Sequence, residues 1–335
     1  MESELVDITI IGGGPTGLYG LFYAGMRGMS ARVIDALPEL GGQLSALYPE
    51  KDVFDVAGFP KILAKDLARD LVTQGLQFGP EVRLDERVLE LGPTDGHFAL
   101  ETDAGLRPTR TVVIAAGKGA FKPRTLSVPG WERFYHRGIW SHVDDPERFR
   151  DRRVLIVGGG DSAFDWSWGL KDIASELTQI HRTNRYRAHA RTVALVEQAH
   201  EREELRLLPF HEVQEIHGTD RLDGVTIFHN KTQERHRLEV EDVLALIGFV
   251  PNIGPIADWG LDLDGNTIRV DTRMRTNLPG VFAAGDIVSY DGKLDLISTG
   301  FGEAAIAVNN AVHFIDPSAK VDPGHSTSAA AFRGK

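Results

Sequence analysis

The stretch Ile10-Ile11-Gly12-Gly13-Gly14-Pro15-Thr16-Gly17 runs from branched apolar residues into a glycine turn and on into an amphipathic segment. The same order returns at Leu155-Ile156-Val157-Gly158-Gly159-Gly160-Asp161-Ser162-Ala163. Glycines at such a strand-to-helix turn let the backbone approach a pyrophosphate, which free amides at the helix N-terminus then hold. A single turn of this kind also arises for purely steric reasons. Two of them, each between an apolar strand and an amphipathic segment, make the chain a pair of dinucleotide-binding folds.

The residue that closes the next strand sorts the pair. About twenty residues beyond the turn, an acid accepts hydrogen bonds from ribose hydroxyls, whereas an Arg favours a 2′-phosphate. The first copy reaches Asp35 after the apolar run Ala31–Ile34; the second reaches His181-Arg182 after Leu177–Ile180. The first fold is therefore expected to hold an FAD-like dinucleotide and the second NADPH. Candidate contacts are Gly12, Gly14, Gly17 and Asp35 in the first, and Gly158, Gly160, Ser162, Ala163, Arg182 and Arg187 in the second.

Composition removes several alternatives. The chain has 335 residues and no cysteine, which excludes disulfide frameworks, zinc–thiolate sites, iron–sulfur clusters and thiol nucleophiles of its own. Its 12 histidines show no metal-ligand spacing, so no metal site is expected. A net charge of −11 speaks against nonspecific nucleic-acid binding. No apolar run reaches the roughly 18 residues a membrane span needs, and Met1-Glu2-Ser3-Glu4 carries no basic leader, so a cytoplasmic location is the expectation. With 42% hydrophobic and 25% charged residues, the chain is long enough for about two ordinary domains.

Along the chain, residues 7–12 predict a buried parallel strand and Thr16–Arg27 its helix, with Leu18, Leu21, Phe22 and Met26 inward. The Pro- and Gly-rich stretch from Pro38 to Pro60 is too long for a connector and is expected to line a site. Lys61–Gln74 predicts a helix, and alternating runs at 82–91 and 97–102 an antiparallel meander. Thr111–Gly117 and Thr276–Asp286 predict strands running into small residues, and Gly300–Phe314 a helix with Ala304, Ala305, Val308, Ala311 and Val312 inward. The expected architecture is α/β: two Rossmann-like domains, the NADPH-binding one (118–247) inserted into the FAD-binding one (1–117 and 248–335, with 316–335 a C-terminal tail). Two linkers of this kind permit the domains to rotate.

Further strings narrow the reading: Gly41-Gly42-Gln43-Leu44, Tyr48-Pro49-Glu50-Lys51, Asp55-Val56-Ala57-Gly58-Phe59-Pro60, Thr299-Gly300-Phe301-Gly302-Glu303-Ala304, Val308-Asn309-Asn310 and His325-Ser326-Thr327-Ser328. With them, nearly the whole chain resembles the thioredoxin-reductase-like ferredoxin/flavodoxin–NADP reductases of the two-dinucleotide flavoprotein superfamily. Thioredoxin reductases of this architecture carry a C-x-x-C where this chain reads Gly138-Ile139-Trp140-Ser141-His142-Val143-Asp144-Asp145. The resemblance implies that Thr16 lies at the pyrophosphate turn and that Asp35 binds the adenosine ribose. It places Gln43 on the flavin side, Tyr48 stacked on the isoalloxazine, Val88 beside the adenine and Phe121 near the ring. It gives Asp286 a ribityl hydroxyl, sets Thr299 at the flavin pyrimidine edge, and brings Thr327 and a stacking His325 in from the tail.

It further implies a homodimer passing a hydride from NADPH to FAD, then single electrons to ferredoxin or flavodoxin, with no side chain as acid, base or nucleophile. Relatives often show His-Arg-Arg before a further Arg; here His181-Arg182-Thr183-Asn184-Arg185-Tyr186-Arg187 puts Thr183 in the second Arg position, so NADPH selectivity is expected to be weaker. Two alternatives remain open at this point. A flavin monooxygenase would also combine both nucleotide motifs, and Gly138-Ile-Trp-Ser-His142 shares a Gly–His spacing with one such group. A redox-sensing flavin-binding protein is the other.

Overall fold

The computed structural model describes residues 4–325, with the backbone alone for residues 120–123 and 249–251. The chain divides into two compact units, Met1–Phe121 with Pro251–Lys335, and Lys122–Val250.

In the first unit, Val6–Ile11 lies at the middle of a seven-stranded sheet. Parallel partners flank it: Ala31–Ile34 with Glu81–Arg83 beyond, and Gly105–Ile114 with Val281–Ala283 beyond. His97–Thr102 and Val88–Thr94 add the antiparallel meander at the other end. The central strands are largely buried on both faces, with Thr9, Arg32, Thr109 and Thr111 as polar side chains among the apolar ones, as a parallel sheet covered twice requires. Ile8, Ile10, Val33, Val113 and Phe282 point into one core with the helices Pro15–Met26, Ala64–Leu76 and Ile297–Ile315. Their neighbours Ile11, Ile34, Val112, Ile114, Val281 and Ala283 point into the other with Phe98 and Leu100.

The helix Pro15–Met26 buries Leu18 and Leu21, while Phe22 and Met26 stay half-buried. Ile62–Leu63 pairs with Asp52–Val53 as a short antiparallel ribbon, so the next helix begins only at Ala64. The stretch 38–60 also contains a one-turn helix, Gln43–Ala46. The last helix starts at Ile297, three residues before the expected Gly300, and buries Ala307 where Ala305 is only half-buried.

The second unit carries a wholly parallel five-stranded sheet in the order Ile139–Trp140, Asp242–Ala245, Arg153–Val157, Glu176–His181, Arg206–Pro209. Helices Asp161–Leu170 and Ala190–Glu201 pack on it, and an antiparallel sheet of His211–Gly218, Leu222–His229 and Arg235–Leu238 completes the unit. Leu155, Val157 and Val243 face one core; Val154, Ile156 and Leu244 face the other. Both units are thus α/β folds with a glycine turn at the carboxyl end of a central strand. In open parallel sheets, that is the end where ligands bind.

Candidate functional site

The first glycine turn is built by close packing. Gly12 takes φ +108, and its N–H donates to the Ile34 carbonyl at 2.9 Å. A Cβ on Gly12 would collide with the Ala115 carbonyl, and one on Gly17 with the carbonyl of Gly12 itself. Gly14 differs: its φ of −75 suits any residue, and it starts the helix without a side-chain cap. A Cβ there would reach only the Gly42 Cα, at 3.8 Å. The helix amides beyond Gly14 are therefore donors awaiting an acceptor.

Asp35 closes the turn from the neighbouring strand. Its Oδ2 accepts the Gly13 N–H at 2.6 Å and its Oδ1 the Leu37 N–H at 2.8 Å. Burial pushes its carboxyl up, against the pull of the N–H groups of Leu37, Gly13 and Ala36. Each oxygen retains a lone pair for a hydroxyl donor. The Asp35 carbonyl accepts the Glu86 N–H at 3.1 Å, which brings buried Val88, at the head of its strand, to the same edge. Thr16 fits between two glycines: a Cβ on Gly285 would lie 2.8 Å from its hydroxyl, and one on Gly300 would overlap it. Thr16 thereby joins the first helix to the loop before Asp286 and to the first turn of Ile297–Ile315.

Tyr48, Asp55 and Asp286 meet in the same unit. Tyr48 is half-buried against the helical core, and its phenol is pushed up to about 12, first by burial and then by the carboxylates of Asp286 and Asp55. Asp286 follows Val281–Ala283; burial and then Asp295 push its carboxyl up, while Lys118 and Lys293 pull it down. Among the described residues its carboxylate makes no hydrogen bond or ion pair. Gln43 opens the short helix, with its amide nitrogen 3.2 Å from where a Gly117 Cβ would stand. Thr299 lies half-buried in the first turn of Ile297–Ile315, a helix with no side-chain cap and no acid at its start. His325 is exposed. Phe121 lies on the strand Ala120–Pro123, where the backbone alone is described, and Thr327 falls outside the described residues.

The second turn repeats the logic with different chemistry. A Cβ on Gly158 would collide with the Leu246 carbonyl, whereas one on Gly160 would meet nothing within 4 Å. Gly160 starts the helix without a side-chain cap; Ser162 is exposed in its first turn, and Ala163 is fully buried. In the place of Asp35 stands the ring of His181, 2.5–2.6 Å from where a Gly159 Cβ would be. Burial and then the Arg182 charge hold its imidazole below the usual range, so it packs neutral under the turn. Gln179, two residues earlier on that strand, donates from Nε2 to the Gly158 carbonyl at 3.1 Å. The Arg187 N–H donates to the Gly159 carbonyl at 2.8 Å and folds its loop back over the turn. Thr183 is spent on a local turn, its hydroxyl donating to the Arg185 carbonyl and accepting the Arg185 N–H, each at 3.2 Å. The guanidinium groups of Arg182, Arg185, Arg187 and Arg191 make no ion pair among the described residues. All four residues are exposed, and the Arg187 backbone ties their segment to an uncapped helix start, so the guanidinium groups are available to an anion.

Three supporting roles escaped the sequence reading. Glu303, only 3% exposed, accepts the Gly285 N–H at 2.7 Å, the Tyr290 hydroxyl at 2.6 Å and the Lys293 ammonium at 2.8 Å. Its signal was available, because an acid on the buried face of an apolar helix needs partners. His181 and Gln179 as supports of the second turn left no such signal, since both sit at positions where strand periodicity expects only burial.

The donor set fits dinucleotides: two uncapped helix starts behind glycine turns, an acid beside one and unpaired arginines beside the other. Fold and site together define a flavin- and pyridine-nucleotide-type oxidoreductase scaffold. The chain belongs to the pyridine nucleotide-disulphide oxidoreductase family, which matches residues 6–311. It is 49% identical, over 99% of both chains, to a protein of Thermus thermophilus named ferredoxin–NADP reductase. It is 47% identical, over 98% of both, to ferredoxin–NADP reductase 2 of Shouchella clausii. Among solved structures it is similar to the thioredoxin reductase of Lactococcus lactis (TM-score 0.78, 26% identity, 92% of this chain and 99% of that one). The T. acidophilum thioredoxin reductase matches with the same TM-score of 0.78 and 26% identity, over 94% and 99%.

Proposed function

We propose that this chain is a ferredoxin–NADP reductase, with FAD in the unit Met1–Phe121/Pro251–Lys335 and NADPH in the unit Lys122–Val250. The observation that carries the reading is the absence of cysteine in a fold similar to the thioredoxin reductases of Lactococcus lactis and T. acidophilum. No thiol of this chain can relay electrons to a disulfide. When bound, the two nucleotides supply hydride transfer and the conversion from electron pairs to single electrons.

The side chains bind and orient. Gly14 leaves the Pro15 helix amides open to a pyrophosphate, and Asp35 uses its spare lone pairs on ribose hydroxyls. Val88 offers backbone groups to the adenine. Tyr48 presents a protonated phenol ring for stacking, Asp286 accepts a ribityl hydroxyl, and Gln43 and Thr299 face the flavin. The uncapped start of Ile297–Ile315 would offer a partial positive charge to negative charge on a bound flavin. At the second turn Gly160, Ser162 and Ala163 leave the amides of Asp161–Leu170 open, and Arg182 and Arg187 take the 2′-phosphate. Phe121, His325 and Thr327 belong to this reading on resemblance alone, as do a homodimer, a cytoplasmic location and flavodoxin as an alternative acceptor. What supports a non-membrane setting is that no helix among the described residues is long and apolar enough to cross a bilayer.

The test is NADPH-dependent reduction of purified ferredoxin and flavodoxin, each followed spectroscopically under anaerobic conditions. Turnover with ferredoxin is expected. A flavin that NADPH reduces but that passes electrons to neither protein would overturn the assignment.

A further inference from the structure

Asp286 is an anomaly of electrostatics. It is a half-buried carboxylate directly after Gly285, and Glu303 ties the Gly285 N–H to the Lys293 ammonium. Lys118 and Lys293 both pull its carboxyl down, yet among the described residues it pairs with neither. Each lysine is held by another acid. Lys118 Nζ lies 2.6 Å from Asp295 Oδ2. Lys293 Nζ lies 2.8 Å from Glu303 Oε1 in a pair whose side chains are 9% and 3% exposed. A partly desolvated carboxylate beside two ammonium groups gains by pairing with one, unless a stronger partner has taken both.

Glu303 is such a partner. Beyond Lys293 it accepts the Tyr290 hydroxyl and the Gly285 N–H, the residue just before Asp286. Its charge is satisfied on both oxygens, and Tyr290 is held protonated, its phenol pushed up to about 12 by burial and by Glu303. One side chain thus anchors the loop on either side of Asp286. Asp295 anchors the next segment through Lys118 at the foot of Ile297–Ile315, where the Ser298 hydroxyl also donates to the Asp55 carbonyl at 2.9 Å.

We propose that Glu303 and Asp295 are positioning residues that hold Lys293 and Lys118 away from Asp286, keeping its lone pairs open for the hydroxyls of the bound cofactor. This rests on the FAD reading above. It makes affinity at Asp286 depend on two acids that do not touch the cofactor, and it implies a specific rescue. Removing a keeper alone lets the freed lysine pair with Asp286 and compete with the ligand. Removing the keeper together with its lysine leaves Asp286 open again.

The experiment measures the Kd of FAD for deflavinated protein by flavin fluorescence quenching, with thermal unfolding of the apoprotein as a second readout. Glu303→Gln is expected to weaken FAD at least about tenfold, the loss that follows when a hydrogen bond to a charged group is withdrawn. The double variant E303Q/K293M is expected to return most of that affinity. Asp295→Asn and D295N/K118M form a parallel pair at an exposed bridge, where folding is not at stake, with the same direction of loss and rescue. Wild-type affinity in the folded single variants would overturn the proposal. So would double variants no better than the singles, because a merely structural role predicts added damage and no rescue. Both outcomes leave the FAD reading standing; a wild-type protein that binds no FAD overturns that reading and this proposal with it.

Discussion

Gly158 and Gly160 stand two residues apart in one turn and should respond to alanine in opposite ways. At Gly160 the backbone has φ −98 and ψ 179, which alanine adopts freely, and its Cβ would have no neighbour within 4 Å. Alanine loses less chain freedom on folding, worth about 0.4–1 kcal/mol. It is a poorer helix cap than glycine by a similar amount, of order 0.5–1 kcal/mol. The two nearly cancel, so Gly160→Ala should shift Tm by no more than about 2 °C.

The added methyl nevertheless occupies the space in front of the helix amides, where a pyrophosphate must approach. Losing one hydrogen bond to a charged group costs about 1.5–3 kcal/mol, so KM for NADPH should rise about 10–100-fold. Gly158→Ala is the reverse case. Its Cβ would lie 2.9 Å from the Ala163 Cβ, 3.0 Å from the Leu246 carbonyl carbon and closer still to that oxygen. Overpacking of this kind costs about 1–3 kcal/mol, and the loss should appear in Tm before any nucleotide is added. Steady-state kinetics with varied NADPH and thermal unfolding of both variants decide the matter. A folded Gly160→Ala enzyme with KM within about twofold of wild type would refute the placement of the nucleotide at this turn.

Arg182→Ala and Arg187→Ala should each lower kcat/KM for NADPH by about tenfold or more and leave NADH nearly untouched, since neither guanidinium makes an ion pair among the described residues and both can meet a 2′-phosphate; equal losses for both nucleotides would contradict the assignment. His181 is neutral in the fold because burial and Arg182 lower its pKa from 6.5. Below about pH 6.5 the unfolded chain takes a proton that the folded chain refuses, so stability falls with pH until the lower folded pKa is reached. Urea midpoints at pH 7.5 and 5.5 should therefore diverge more in wild type than in His181→Gln, and identical pH slopes would refute the packing argument. Alkaline titration of the folded chain should show phenols ionising near 12; Tyr48→Phe should remove one of them and keep FAD, whereas Tyr48→Ala should lose both. Phe164→Ala, at a fully buried helix position in the second unit, should cost about 3–5 kcal/mol in a urea melt, and a loss below about 1 kcal/mol would contradict its place in that core.

Much of the fold was legible because the central strands announce themselves. Ile10 with Ile11, and the run 154–157, place branched apolar residues on both faces of a strand, as a doubly covered parallel sheet requires. Boundaries were less legible where short pairings intervene. The ribbon of Asp52–Val53 with Ile62–Leu63 delays the helix that periodicity alone would begin at Lys61. In the same way, the helix expected from Gly300 starts at Ile297, because the segment before it continues in helical conformation without any capping side chain.

The sequence by itself determined that there are two nucleotide folds and that no thiol of the chain takes part, and it set the expectation of a ribose hydroxyl at Asp35 and a phosphate at Arg182. Those conclusions rest on local rules: a glycine turn, the residue about twenty places on, and a residue count. Tertiary structure alone decided what holds the site in shape. Asp35 spends one lone pair of each oxygen on backbone amides, and the His181 ring fills the corresponding space in the second fold. Lys118 meets Asp295 across 177 positions of chain, and Glu303 gathers Gly285, Tyr290 and Lys293 around one buried carboxylate. Such pairings depend on which charges burial brings together and forces to find partners, and no periodicity along the chain encodes that choice.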